Sequence, residues 1–589
     1  MATRRKALAA SSLAVALAFT AACGGGGDKG GDGNKKGSGF NAAVSSVVNP
    51  SDKKGGTLNL YSSADLDSWD PARTYYAWGF NMHRLYSRTL VAYDGKVGKD
   101  GLKLVPDLAS AEAEISDDGK KYTYKLRDGL KFEDGTPITS KDIKYGIQRV
   151  FATDVISGGP TYLIDFLDQG QGYKGPYKDS DPDKLGLKSI QTPDDKTIVF
   201  TLAKPFADFP YLLAMPGGAP VPRAKDTGAQ YGSKPVSSGP YKIKTYEPNK
   251  KIIFERNENW DPATDPFRKA LPDVIDLTLG ANADDIDNRL LAGSADLDVG
   301  QTGVSAAART KIVGDESLKA NTDNPTTGFI RYVSIQTKVA PFDNVECRRA
   351  VHYAADKTAL QTARGGPVAG GDIGTNMLPP NIAGHDPNLD PYNTKSGKPQ
   401  IDKAKEALAK CGKPDGFKTV IAVRNNKPAE VKTAEALQAS LKAVGIDAAI
   451  EQSDGAQFFS TTIGTPSNVQ KKGYGLAIAG WGADFQTAYG YLQILVDGRA
   501  IKPAGNNNYA ELNDPEINSL IDKSLEATDP AESARIWGEI NAKVMDQAVM
   551  MPMVYDKALN YRNPRLTNVY VHDAFGMVDF QALGVSDGK

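Results

Sequence analysis

Asp484 is the acid that its neighbours single out. It lies in AIAGWGADFQ, residues 477–486, where an apolar run stops at Gly480 and is followed by Trp481, Gly482 and Phe485. A carboxylate framed by glycines and large aromatics can be a catalytic acid, a structural tie or a ligand anchor. Catalysis needs a partner group, and the chain offers few. The four histidines, His83, His352, His385 and His572, show no HExxH spacing, and no CxxC pair, GxSxG elbow or GxxxxGKS/T loop occurs. The glycine-rich stretch 365–371 lacks a following Lys-Ser/Thr. Asp65, Asp67 and Asp70 lack the glycine and terminal glutamate of a calcium loop and read as solvated acids. No metal, cofactor or catalytic residue is therefore expected. A second aromatic group, Trp69, Tyr75, Tyr76 and Trp78, crowds an N-terminal loop. For any single ring, local core is the plainer reading. Two aromatic loops at strand ends could instead face each other and sandwich a small molecule.

The elements that must carry these loops follow from periodicity. Residues 57–61 alternate as a strand, and residues 251–257, 274–280 and 295–300 are further strands around a helix at 283–292. Residues 81–90 are amphipathic enough for a helix. Residues 114–135 form a meander punctuated by Asp-Gly turns. A helix capped at Thr139 or Ser140 follows, and then a strand–turn–strand at 189–202. Strand 418–423, helix 429–444 with Gly445 at its end, and a second strand make a βαβ unit, which predicts a parallel pair. Asp529-Pro530 opens another helix.

The N-terminus reads as an export signal. Arg4, Arg5 and Lys6 precede a 13-residue apolar stretch, too short to span a membrane, and small residues lead to Cys23. Small residues just before a cysteine resemble a bacterial lipobox, although Thr20 stands where Leu or Val is usual. Lipidation of Cys23 is expected, with an ordinary cleaved signal and a free cysteine as the alternative. Residues 23–55 then read as a flexible tether, with a mean reach of ~30 Å. Cys347 and Cys411 remain as an even pair in an oxidising compartment and predict a disulfide; two buried thiols are the alternative. The formal charge of −1 comes from 70 basic and 71 acidic residues with no basic block in the body, which argues against nucleic acid. About 530 residues after the tether are too many for one core, so two or three domains are expected.

Several segments, in order, resemble the family 5 extracellular solute-binding proteins, the dipeptide- and oligopeptide-binding receptors of ABC importers. Residues 118–150, DGKKYTYKLRDGLKFEDGTPITSKDIKYGIQRV, resemble the family's signature. DSWDPA, VSSGPYKI with FERNENW, LLAGSADLDV, the stretch 340–360 and AGWGADF match further segments, so the likeness spans roughly residues 55 to 585. It implies an α/β, two-lobed periplasmic-binding-protein-like fold of type II, hinge-linked, with an additional smaller α+β domain. By analogy, residues 56–90, 229–329 and 549–589 would form lobe I, 91–228 the extra domain and 330–548 lobe II.

The resemblance also implies a role: a non-enzymatic, monomeric receptor on the extracytoplasmic face. It would be held to the membrane only by lipid, capturing peptides or peptide-like solutes and delivering them to an ABC permease. In peptide-binding relatives the aspartate matching Asp484 pairs with the peptide's α-amino group. Gly480 and Gly482 would admit the peptide backbone, Trp481 and Phe485 would wall a side chain, and Tyr75, Tyr76 and Trp78 would face them from the other lobe. Two departures stand out. Ile478 occupies the position of an arginine that meets the ligand carboxylate in some relatives, and Gln486-Thr487-Ala488 replace the usual Asp-Pro. An oligosaccharide or other non-peptide solute, a secreted hydrolase, and a surface sensor or adhesion protein are the alternatives.

Overall fold

The computed structural model describes residues 39–588 apart from Ala456 and Thr528. The export signal, Cys23 and the tether as far as residue 38 lie outside the described residues. The rest of the predicted tether does not behave as one. Residues 39–51 pack on the body, with a short helix at Ala42–Ser45 and with Ala43 and Val48 buried.

Among the described residues three larger sheets organise the chain, beside four two-stranded ones. A five-stranded sheet has the order Leu297–Asp298, Thr57–Tyr61, Val274–Thr278, Lys251–Arg256, Tyr241–Glu247. Its first three strands pair in parallel and the last two join antiparallel. The strand Thr57–Tyr61 buries Leu58 and Leu60 on one face, as its alternation requires. A four-stranded antiparallel sheet, Glu114–Ser116, Lys121–Lys125, Thr197–Thr201, Ile190–Asp194, is built from the predicted turns. The helix Ser140–Val150 accompanies it, opened by a reciprocal cap between Thr139 and Asp142.

A six-stranded mixed sheet has the order Asp372–Ile373, Met550–Lys557, Thr326–Ile335, Leu476–Trp481, Lys418–Arg424, Asp447–Ser453. The last two strands pair in parallel across the helix Pro428–Lys442, the predicted βαβ unit. Gly445 has φ 87°, the left-handed conformation that ends this helix most easily with glycine. Cys347, on the helix Val345–Ala354, is joined to Cys411 at the end of the helix Ile401–Lys410.

Two expectations are corrected. The helix expected at 81–90 runs instead from Ala77 to His83. Met550–Lys557, assigned by analogy to lobe I, lies inside the six-stranded sheet between Thr326–Ile335 and Asp372–Ile373. Its residues 550–556 are all buried, and only an interior strand covers both faces in that way. The chain therefore crosses between the five- and six-stranded parts at 323–326 and 557–560. There Thr322–Asp323 pairs antiparallel with Asn560–Tyr561.

Candidate functional site

The loop carrying Asp484 begins where the strand Leu476–Trp481 leaves its sheet. Along this strand Ala477 and Ala479 pack into one core cluster and Leu476 and Ile478 into another on the opposite face. Trp481 is fixed by a reciprocal pair: its indole Nε1 donates to the Tyr491 carbonyl at 2.7 Å, and the Tyr491 hydroxyl donates to the Trp481 carbonyl at 3.3 Å. The Asp484 amide donates to the Gly490 carbonyl at 3.1 Å, and Thr487 caps the helix Ala488–Val496 that follows. The loop is thus held by the start of its own helix.

Three parts of the chain meet at one carboxylate oxygen. Tyr75 Oη, from the loop before the helix Ala77–His83, donates to Asp484 Oδ2 at 2.7 Å. Tyr162 Oη, at the start of the helix Tyr162–Leu167, donates to the same oxygen. Neither phenol takes Oδ1. Burial pushes the Asp484 carboxyl up to about 6, and the two phenol hydrogen bonds pull in the other direction. Among the described residues no ion pair includes it, so a charge at Asp484 has neutral donors but no counter-charge.

Asp484 borders a cavity of about 330 Å³. Tyr75, Tyr76, Gly480, Trp481, Gly482 and Phe485 line it too, joined by rings from distant segments: Phe80, Tyr93, Tyr211, Phe329, Phe459, Tyr509 and Phe575. Trp78 does not line it. One step into its helix, Trp78 turns toward the five-stranded sheet and meets Trp69 edge to face at 6.2 Å. Tyr162 and most of these rings were not foreseen, because each stands alone in its own segment with no local motif to mark it.

At both glycines the protein itself leaves little room for a side chain. A Cβ at Gly480 would lie 2.6 Å from Arg331 Nη1, and a Cβ at Gly482 would lie 2.8 Å from two atoms of the Phe329 ring. The flexible end of Arg331 lies over the first position and the Phe329 ring over the second. The three early acids are not solvated either. Asp65 accepts from Trp69 Nε1 at 3.1 Å and Tyr246 Oη at 2.9 Å, Asp67 accepts from the Tyr75 amide at 3.1 Å, and Asp70 takes both ends of the Arg149 guanidinium at 2.8 Å. Among the described residues no group of three or more His, Cys, Asp or Glu gathers around a possible metal position.

Ile478 is buried in the cluster behind the sheet, out of reach of the cavity. Two cations line the cavity, Arg84, paired with Asp579 at 3.0 Å, and Arg268, paired with Asp107 at 2.9 Å, and a further group stands behind its rings. Arg331 pairs with Asp556 at 2.6 Å and its guanidinium lies 5.4 Å from the centre of the cavity-lining Phe329 ring. Arg364 meets the same Asp556 at 3.5 Å. Arg424 bonds Glu430 at 2.8 Å and sits 4.8 Å over the cavity-lining Phe459 ring. Desolvation, then the nearby Arg424, and also Arg331, push the Lys427 ammonium below its ordinary range against the opposing pull of Glu430. The patch holds four cations, Arg331, Arg364, Arg424 and Lys427, against the two carboxylates of Asp556 and Glu430.

Comparison with known proteins fits this geometry. The family described as bacterial extracellular solute-binding proteins, family 5, middle region, matches residues 103–503. The chain is similar to a solved structure titled clavulanic acid biosynthesis oligopeptide binding protein 2, with 49% identity and a TM-score of 0.90 over 94% of this chain and 99% of that one. It is 27% identical to heme-binding protein A of Haemophilus influenzae, covering 83% of this chain and 86% of that protein. It is 25% identical to the glutathione-binding protein GsiB of Escherichia coli, covering 81% and 86%. The structure of DppA from Helicobacter pylori in complex with the peptide STSA shares the fold, with a TM-score of 0.72 at 23% identity. The match across the middle of the chain and the fold shared over its length agree: this chain belongs to the family 5 bacterial extracellular solute-binding proteins, the substrate-binding components of ABC importers.

Proposed function

We propose that the chain is a lipid-anchored receptor that encloses a short peptide or peptide-like solute in the cavity at Asp484 and hands it to an ABC permease. The observation that carries this reading is the carboxylate itself. Asp484 is partly buried at the cavity wall, among the described residues no ion pair includes it, and both phenols occupy only one of its oxygens. An α-ammonium at Oδ1 supplies the missing charge, and a buried charge is costly without such a partner. Arg84 and Arg268 in the cavity lining, with Arg331 and Arg424 behind the Phe329 and Phe459 rings, are the candidates to meet a carboxylate at the solute's other end, the role that Ile478 cannot take. The cavity is at the small end of the range for ligand pockets, which favours a short solute. The similar structure titled as an oligopeptide-binding protein supports the same class.

Calorimetric titration with short peptides and their N-acetylated counterparts tests the reading. Acetylation of the peptide, or Asp484→Asn in the protein, is expected to weaken binding by about 1.5–3 kcal/mol, the scale of a hydrogen bond to a charged group. Equal affinity for free and acetylated peptides would remove the amine-anchor role. A second reading, a neutral oligosaccharide or other non-peptide solute, draws on the aromatic walls. It predicts tight binding that is indifferent to the charge at Asp484. Native mass spectrometry of the protein as purified identifies a retained solute directly.

A further inference from the structure

The first described segment, Gly39 to Ser51, grips the two strands through which the chain crosses between its sheets. On the outgoing strand, the Asn41 amide donates to the Thr322 carbonyl at 2.9 Å and the Ala43 amide donates to Asp323 Oδ1 at 2.9 Å. The Asn324 amide donates to Asn41 Oδ1 at 2.6 Å. On the returning strand, Arg562 Nη2 donates to the Gly39 carbonyl at 3.0 Å, while the same guanidinium pairs with Asp323. Farther along, the segment is fastened to the C-terminal part. Val48 bridges Val569, and the Ser51 amide donates to Asn568 Oδ1 at 2.9 Å. Ala43 is 0% and Val48 3% exposed, so the segment is packed as well as hydrogen-bonded.

Asn41 is the informative residue. It holds φ 62°, a left-handed conformation that asparagine accepts more readily than most side chains, and it gives its amide and its side-chain oxygen to the same short stretch. Thr322 lies in the paired crossing ribbon and Asn324 in the peptide link beyond it. A relative swing of the two sheets must be absorbed in links of this kind, since the paired strands on either side are fixed by their ladders.

We propose that Gly39–Ser51 is a hinge strap: with Ala43 and Val48 in the core of the five-stranded part, it ties the crossing stretch 322–324 to that part and holds the crossing in the arrangement seen here, in which Tyr75 reaches Asp484. The proposal does not depend on which solute binds, so its test needs none. In Asn41→Ala, hydrogen exchange at the Asn324 amide is expected to speed up about fivefold, the scale of one lost hydrogen bond. Small-angle scattering of the same protein is expected to give a larger radius of gyration. Asn41→Asp keeps the acceptor oxygen and is expected to restore both. Unchanged exchange over 322–326 and an unchanged radius would overturn the strap. So would a rise shared equally by the amides of the central strand Thr326–Ile335, which marks general loosening rather than a freed hinge.

Discussion

At Asp484 the geometry makes a pH prediction whose sign can be worked out. Its carboxyl is raised from 3.8 to about 6 by burial. Between about pH 4 and 6 the folded protein therefore keeps a proton that the unfolded chain has released. Stability falls as pH rises through that window and stays lower above it, by ~3 kcal/mol for this one group. Asp165, Asp208 and Asp298 are pushed up to about 6 as well, so the comparison of wild type with Asp484→Asn isolates the Asp484 share. Thermal unfolding at pH 7 is expected to show Asp484→Asn at least as stable as wild type; a clear loss would mean that Asp484 chiefly orders its loop. Binding of an amine has the opposite slope. Affinity for a free peptide is expected to rise as pH climbs through about 6, with proton release detected by calorimetry in two buffers at pH 5.5, and Asp484→Asn is expected to flatten the profile. Tyr162→Phe removes a hydrogen bond that favours the ionised form and is expected to move the profile up by about one pH unit. A profile that stays in place would show that the Tyr162 phenol does not tune the anchor.

Among the elements, the strand Leu476–Trp481 shows what a sequence discloses and what it withholds. Its apolar run, the parallel βαβ neighbours and Asp484 at its end were legible because they depend on local periodicity and on one unusual cluster of residue types. The crowding at Gly480 and Gly482 was not, because the side chains that lie over them, Arg331 and Phe329, stand on a strand about 150 residues earlier in the chain. Trp78 was misplaced because a helix begins one residue before it, and a helix turns successive side chains about 100° apart. Tyr162 carries no local sign of its role, since only the tertiary fold brings it to Asp484. Gly482→Ala follows from this. The added methyl must displace the Phe329 ring, which borders the cavity, so the variant is expected to lose about tenfold in solute affinity, within the ~1–3 kcal/mol typical of overpacking. Calorimetry and thermal unfolding together check it: a large drop in melting temperature with affinity unchanged would place the clash in the core instead. The Cys347–Cys411 link joins two helices on the outer layer of the same sheet, away from the cavity lining. Replacing both cysteines with serine is expected to cost about 4 kcal/mol of stability by loop closure and to leave affinity unchanged, read by denaturant unfolding and titration.

Over the whole molecule, the contacts at Asp484 draw on all three sheet-built parts; the four- and six-stranded parts also share a core through Phe166, Phe206, Phe485 and Tyr489, and Gln486 donates to the Ala574 carbonyl at 2.7 Å. Tyr75 comes from the part built on the five-stranded sheet, Tyr162 from the part built on the four-stranded sheet, and Asp484 from the six-stranded sheet. The paired crossing strands at Thr322–Asp323 and Asn560–Tyr561 form the short link between the first and last of these, the place where the proposed closure would be absorbed. A solute that touches both sides of the cavity binds the narrow arrangement better than a wide one, and can shift the population only by that difference in affinity. Tyr75 already adds a protein contact across the gap, so part of the closing free energy resides in the receptor itself. Tyr75→Phe removes this hydrogen bond while keeping the ring stack on Phe80, whose centroid lies 6.4 Å away. Without solute, the variant is expected to scatter with a larger radius of gyration than wild type. With saturating peptide the two are expected to converge, at an affinity lower by about tenfold for the variant. Wild-type scattering curves that are identical with and without a tightly bound peptide would rule out closure as the means of capture. An unchanged radius for Tyr75→Phe, with closure intact in wild type, would assign the closing free energy to the solute and the hinge instead.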